Sequence, residues 1–209
     1  MQILSGDSII IRDYPKGGPP PEKQITFSNV IAPKLARRPT GANDDTRDEA
    51  WAWEAREFLR QKLIGEEVWF VSERPANSQR EYGVVYLGPD PNTAPNVTEL
   101  LVSEGLVSVR RDNTRNPSAD LQKLIELEDA AKSAGKGKWG HSPPEKHVRS
   151  IRWTQENQRG FVDQANGRPI KAIIEHVRDG STVRAFLLPD FQYITLMISG
   201  IRVSFHHRF

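Results

Sequence analysis

The chain has no cysteine, so disulfides, a disulfide-linked partner and thiolate metal sites are all excluded. That absence fits a reducing compartment. No apolar run approaches the ~18 residues a membrane helix needs, which argues against a spanning segment. The first residues, Met1 to Asp7, place no basic region ahead of a hydrophobic stretch and do not read as a signal peptide. Charge of one sign is also scarce: 29 Lys and Arg against 27 Asp and Glu leave a net +2. Bulk charge therefore says little about nucleic acid, and any electrostatic binding must come from local clusters. What remains, 37% hydrophobic and 27% charged over 209 residues, is an ordinary globular composition. It suffices for one large domain or one and a half small ones.

Hydrophobic periodicity divides the first two thirds into short strands and three helices. Ser8–Tyr14 and Gln24–Ile31 read as strands. The proline- and glycine-rich stretch from Pro15 to Pro21 between them is a stiff loop, because proline removes donors and glycine frees the backbone. Thr46 and Glu49 form a candidate capping box ahead of a helix that carries Ala52, Ala55, Phe58, Leu59 and Leu63 on one face. Its charged residues, Arg56 among them, fall away from most of that stripe, and Gly65 stops it. Glu67–Ser72 and Glu81–Leu87 are further strands, joined by a turn through Arg74–Ser78. Asn96 and Glu99 bracket a second capping box, before a short helix that ends at Gly105. Leu106–Val109 is extended. A third helix starts at Asn116-Pro117, cap then N1 proline. It buries Leu121, Leu124, Ile125 and either Leu127 or Glu128, depending on phase.

From Gly140 the composition changes. The domain boundaries follow: 1–140 as one unit, 141–160 as a linker, 161–209 as the start of another. Lys171–His176, Ser181–Leu188 and Tyr193–Ile201 read as strands, with Asp179-Gly180 a turn. A partial internal repeat is visible. Ser5-Gly6-Asp7-Ser8 resembles Asp179-Gly180-Ser181-Thr182, and Ile25–Val30 resembles Leu196–Ile201. The second copy shows no helix and no further strand pair, so it cannot close a barrel by itself and leaves strand edges to cover. Short strands with interspersed helices suit a small closed barrel, an α+β fold that is mainly β.

At this point the residues resemble the Tudor-SN family. Leu4-Ser5-Gly6, Gly17-Gly18-Pro19-Pro20-Pro21-Glu22, Leu35-Ala36-Arg37-Arg38, Glu54-Ala55-Arg56-Glu57-Phe58-Leu59-Arg60, Lys62-Leu63-Ile64-Gly65, Arg80-Glu81-Tyr82-Gly83 and Tyr86-Leu87-Gly88 look like its first repeat. Ile173 to Ser181 looks like the start of its second. The tail from Ser204 to Phe209 lacks the continuation the family shows. The resemblance implies a staphylococcal-nuclease-like OB-fold barrel with packed helices, followed by an incomplete second repeat. It also implies a multi-repeat RNA-binding scaffold and transcriptional coactivator of RNA-silencing complexes, located in the cytoplasm and also the nucleus. Its partners would be double-stranded or small RNA and the proteins of those complexes. The alternative it carries is an endoribonuclease.

A nuclease of this type needs a hard cation held by carboxylates, a general base and arginines that neutralise the phosphate. By resemblance, Asp7 matches one metal carboxylate. The other four positions hold Thr26 and Val84 for the arginines, Ile31 for the second carboxylate and Lys34 for the general base. In the second repeat Ser181, Met197 and Arg202 stand at the corresponding places. A lone aspartate cannot hold a catalytic Ca2+ against hydration. The chain is therefore expected to be catalytically degenerate, without metal or cofactor, and Asp7 to be vestigial or a plain turn aspartate.

For RNA the candidates are Arg37, Arg38, Arg80, Arg110, Arg111, Arg115, Lys136 and Lys138 as phosphate contacts, with Tyr82 and Tyr14 as stacking partners. The plain alternative is a solvated surface paired to neighbouring acids; the resemblance favours binding. Trp51, Trp53, Trp69 and Trp139 read as core residues. Pro15, Lys16, Pro19 and Pro20 are the candidate protein-docking loop, with a simple connection as the alternative. His141, His147 and His176 are too scattered for a metal site.

Overall fold

Alternation on the first strands decides which face turns inward. The computed structural model describes residues 1–15, 17–41, 47–75, 79–90, 92–111 and 117–201. The expectations for Lys16, Thr46, Asn77, Ser78, Arg115, Asn116, Arg202 and the Ser204–Phe209 tail lie outside that set. The chain forms two compact units, Met1–Ala36 with Arg47–Val148 and Arg37–Thr46 with Arg149–Phe209.

In the first unit β1 (Gln2–Ser5), β2 (Ser8–Arg12) and β3 (Glu22–Phe27) form an antiparallel meander. β5 (Val68–Glu73) and β6 (Tyr82–Leu87) form a hairpin whose β6 runs parallel to β3, giving the order β1-β2-β3-β6-β5. β4 (Val30–Ile31) pairs with β7 (Ser108–Val109). Ile3, Ile9, Ile25, Phe27, Val30 and Val85 point inward and are buried. The helices α1 (Ala52–Leu63), α2 (Val97–Ser103) and α3 (Ala119–Ser133) add Ala55, Leu59 and Leu63, then Leu101 and Val102, then Leu121 and Leu124 to the same core. Each buried Val, Leu, Ile or Phe among these contributes about 1.5–3 kcal/mol.

The structure redraws several local expectations. β1 is a separate strand that the reading of the first residues missed. The expected strand Gln24–Ile31 starts at Glu22 and breaks at Ser28-Asn29, where Asn29 takes φ 63°; asparagine tolerates that left-handed conformation. The box Asn96–Glu99 caps α2 as its spacing predicts, with Asn96 Oδ1 accepting from the Thr98 and Glu99 N–H groups. Of the expected box Thr46–Glu49 only Glu49 is described. α1 begins at Ala52 behind Trp51, which offers no side-chain cap, and the Glu49 carboxylate accepts from the Lys34 N–H at 2.8 Å. α3 is capped by Ser118 rather than by Asn116-Pro117.

Arg56 lies inside rather than on the solvated face. It is 4% exposed, and its Nε donates 3.1 Å to the Ile3 carbonyl. A register irregularity falls between Ile3 and Ser5, so Arg56 satisfies a carbonyl at a disturbed ladder. Trp69 is not core but 46% exposed, because it stands on the outer face of the β5–β6 hairpin. Trp51, Trp53 and Trp139 are half-buried.

In the second unit α4 (Gln158–Ala165) is a helix where the sequence reading placed linker and no helix. Asn157 caps it, accepting from the Gly160 N–H at 2.8 Å. β8 (Ala172–Val177), β9 (Thr182–Leu187) and β10 (Gln192–Met197) form an antiparallel sheet. Phe186 anchors it, among Trp153, Phe191 and Tyr193. This meander repeats β1-β2-β3 in detail. Both first strands carry an irregularity, between Ile3 and Ser5 and between Ile174 and His176. Gly200 takes φ 79° where the repeat aligns it with Asn29.

The turn between β1 and β2 packs closely against α1. A Cβ on Gly6 would lie 2.7 Å from the Ala55 Cβ and 2.9 Å from the Ala32 Cβ. Gly6→Ala should therefore destabilise the chain by about 1–3 kcal/mol through overpacking. A lower urea midpoint with unchanged slope checks it; an unchanged midpoint means α1 can retreat.

Candidate nucleic-acid interface

Asp7 follows Gly6 in that turn, and its two carboxylate oxygens are already engaged. Oδ1 accepts from the Ser5 hydroxyl at 2.6 Å and Oδ2 from the Ala32 N–H at 3.0 Å. Its backbone carbonyl accepts from the Phe27 N–H at 2.8 Å. One residue thus ties the first turn to the end of β3 and to the exit from β4. Thr26 and Val84 sit on β3 and β6, on the faces away from buried Ile25, Phe27 and Val85, and Ile31 is 47% exposed. None of these side chains is a carboxylate. Among the described residues no group of three His, Cys, Asp or Glu is placed to hold a metal. Asp7 has the geometry of a turn staple.

The basic candidates divide by what they touch. Arg111 contacts Glu128 at 2.8 Å and Asp129 at 3.3 Å, and Lys132 joins the same two acids. Lys136 pairs with Glu104 at 3.0 Å. Lys138 is half-buried; it donates to the Ser108 hydroxyl and lies 4.6 Å over the Trp139 ring. Burial lowers its pKa from the ordinary lysine value despite the nearby charge of Glu128. These three residues stand around β7 and the ends of α2 and α3, in a network that largely neutralises itself.

Arg110 differs. It is exposed, its N–H donates to the Asn29 carbonyl, and its side chain has no ion pair among the described residues. Arg80 is an exposed residue of the first unit. Arg37 and Arg38 belong to the second, where the Arg38 guanidinium lies 5.9 Å from the Tyr193 ring. Tyr82 is half-buried on β6 opposite Thr26, and Tyr14 is 71% exposed, donating to Glu67 at 2.5 Å. Of the docking loop, Pro15 and Pro19 are exposed and Pro20 is half-buried. Its neck is closed by Arg12 with Glu22 and by the Asp13 N–H on the Pro21 carbonyl.

The residue that sequence reasoning left open is Glu128. It is 3% exposed, and it accepts from the Val109 N–H, Arg111 and Lys132. Its place on the stripe of Leu121 and Leu124, at i+4 from Leu124, was the available signal. Burial alone would raise its pKa, but the hydrogen bonds from Lys132, Val109 and Arg111 outweigh burial and hold it below the usual carboxylate range. A second cluster that scanning for metal spacings passed over joins Glu54, His147 and Ser142.

Residues 24–141 match the family described as staphylococcal nuclease homologue, and the chain belongs to that family. Over 203 residues it is 64% identical to Staphylococcal nuclease domain-containing protein 1 of Drosophila melanogaster, covering 96% of this chain and 22% of that protein. Ribonuclease TUDOR 2 of Arabidopsis thaliana is 37% identical over 215 residues, with 96% and 21% covered. A Schizosaccharomyces pombe relative, also a Staphylococcal nuclease domain-containing protein 1, is 28% identical over 185 residues, with 79% and 19% covered. The Tudor-SN resemblance therefore holds. The chain spans about a fifth of the length of these relatives.

Because Glu128 is held ionised, its contribution is complete above the ordinary glutamate pKa and is lost as pH falls through its lowered folded value. Glu128→Gln should cost about 1–3 kcal/mol at neutral pH. It should also flatten the acid side of the stability–pH curve. Urea unfolding at a series of pH values reads both; a variant curve parallel to the parent's would mean the carboxylate's charge is not what matters.

Proposed function

We propose that this chain is an RNA-contacting part of a longer Tudor-SN-type protein, and that it binds RNA without cleaving it. The observation that carries the reading is the commitment of both Asp7 oxygens to Ser5 and Ala32, at the one position where the family's metal carboxylate is matched. A Ca2+ ion takes six to eight oxygen ligands, and Thr26, Ile31, Lys34 and Val84 supply neither a second carboxylate nor a phosphate clamp. That relatives are named ribonucleases supports RNA as the partner. Hydrolysis by the longer protein would then rest on residues outside this chain.

The binding is electrostatic, directed at the phosphate backbone of double-stranded or small RNA. Exposed Arg110 is its leading contact, and Arg37, Arg38 and Arg80 are further ones. Lys138, turned into the protein toward Ser108, is withdrawn from that role. In the longer protein the same units serve as a scaffold for proteins of silencing and transcription complexes, in the cytoplasm and the nucleus. The Pro15–Pro20 loop is a docking element, since a loop already closed at its neck loses little entropy on binding.

Titrating labelled double-stranded RNA at several salt concentrations tests the reading. Affinity should fall steeply as salt rises. Arg110→Ala should make the slope of log K against log salt shallower by about one, whereas Lys138→Met should leave the slope as it is. Binding insensitive to salt, or an equal effect of both substitutions, would remove the electrostatic account.

A further inference from the structure

After α3 the chain makes 3-10 turns at Gly137–Trp139 and Pro144–His147. The second returns it to the start of α1. There the His147 ring stacks on the Trp51 indole, with centroids 3.6 Å apart and planes 16° from parallel. His147 Nδ1 lies 2.7 Å from Glu54 Oε1, and Nε2 lies 2.8 Å from Ser142 Oγ. The Trp51 N–H donates to the His147 carbonyl at 3.2 Å, and Trp51 holds φ 70°. For a bulky non-glycine residue that conformation costs about 1–3 kcal/mol, and such outliers gather at functional sites.

The proton positions follow from the partners. An ionised carboxylate only accepts, so Nδ1 must carry the hydrogen directed at Glu54. In the neutral ring this leaves the Nε2 lone pair facing Ser142, whose hydroxyl must then donate. The remaining Glu54 oxygen, Oε2, is buried with no hydrogen-bond partner among the described residues, so within that set His147 is the polar group on which this carboxylate bears. Ser142 is exposed while the His147 side chain is only 16% exposed. A reachable hydroxyl therefore rests against a shielded, oriented base.

We propose that Ser142, His147 and Glu54 form a nucleophilic site that cleaves activated carboxylic esters, independent of RNA binding. Ser142 Oγ attacks the ester carbonyl while its proton passes to His147 Nε2. The tetrahedral adduct collapses with loss of the alcohol, which takes that proton, leaving acyl-Ser142. Water, deprotonated by His147, then releases the carboxylic acid and restores the hydroxyl. Glu54 is a positioning residue, holding the ring in the required tautomer.

An alkyl phosphonofluoridate, which replaces fluoride by the serine oxygen, is the direct probe, with 4-nitrophenyl acetate as the turnover substrate. Peptide mapping should place the adduct on Ser142, and Ser142→Ala should abolish both adduct and turnover. His147→Gln should slow labelling by roughly 10²-fold, the size of a general-base contribution. Glu54→Gln should also slow it, and the nitrogen-15 shifts of His147 should then show that the Nδ1–H tautomer no longer dominates. Labelling of Ser142 in the parent chain no faster than at its other exposed serines would overturn the proposal whether or not the variants fold. An unchanged rate in folded His147→Gln would overturn it too, leaving the cluster as a latch between the chain after α3 and α1.

Discussion

The first unit depends on a carboxylate that closes its earliest turn. Asp7 accepts from Ser5 and from the Ala32 N–H, and its carbonyl accepts from the Phe27 N–H. These bonds hold the β1–β2 turn, the end of β3 and the strand exit after β4 at one point. Gly6 lets α1 approach that point to van der Waals contact, with Ala55 and Ala32 filling the space a side chain would take. At the position where the family's metal carboxylate is matched, the Asp7 oxygens accept from a backbone and a hydroxyl donor, which leaves neither donor orphaned.

A second carboxylate fastens α3. Glu128 gathers the Val109 N–H, Arg111 and Lys132, so α3 is fastened to β7 by a charge that burial alone would disfavour. Removing the carboxylate would leave a backbone donor and two cations without it, which is costlier than any single surface pair. Two of the cations that look like a phosphate footprint in the sequence, Arg111 and Lys136, are thus paired with acids of the same unit. Lys138 goes further, giving up solvent for Ser108 and the Trp139 face. Arg110 stays exposed, with no ion pair among the described residues.

The class of fold was legible because period and punctuation were strong. Ala55, Leu59 and Leu63 mark α1, Asn96 and Glu99 cap α2, and the repeated turn at Gly6 and Gly180 marks two copies of one meander. What stayed hidden was tertiary. Arg56 reads as a surface charge until the Ile3 carbonyl at a disturbed ladder is known to need a donor. Trp69 reads as core until its strand is seen to turn that face outward. α4 is short and polar, with only Phe161, Val162 and Ala165 at helical spacing behind its Asn157 cap. Pairing of charges was the least visible of all, since Arg111 and Glu128 are neighbours only through folding. Likewise Ser142, His147 and Glu54 share no spacing that a motif search would register.

Binding and cleavage separate most clearly at Asp7. Incubating the chain with end-labelled double-stranded RNA and millimolar Ca2+ or Mg2+, beside Asp7→Ala, decides between them. The account predicts intact RNA in both reactions, with the substitution acting on stability. Metal-dependent cleavage by the parent chain that vanishes in Asp7→Ala would contradict it.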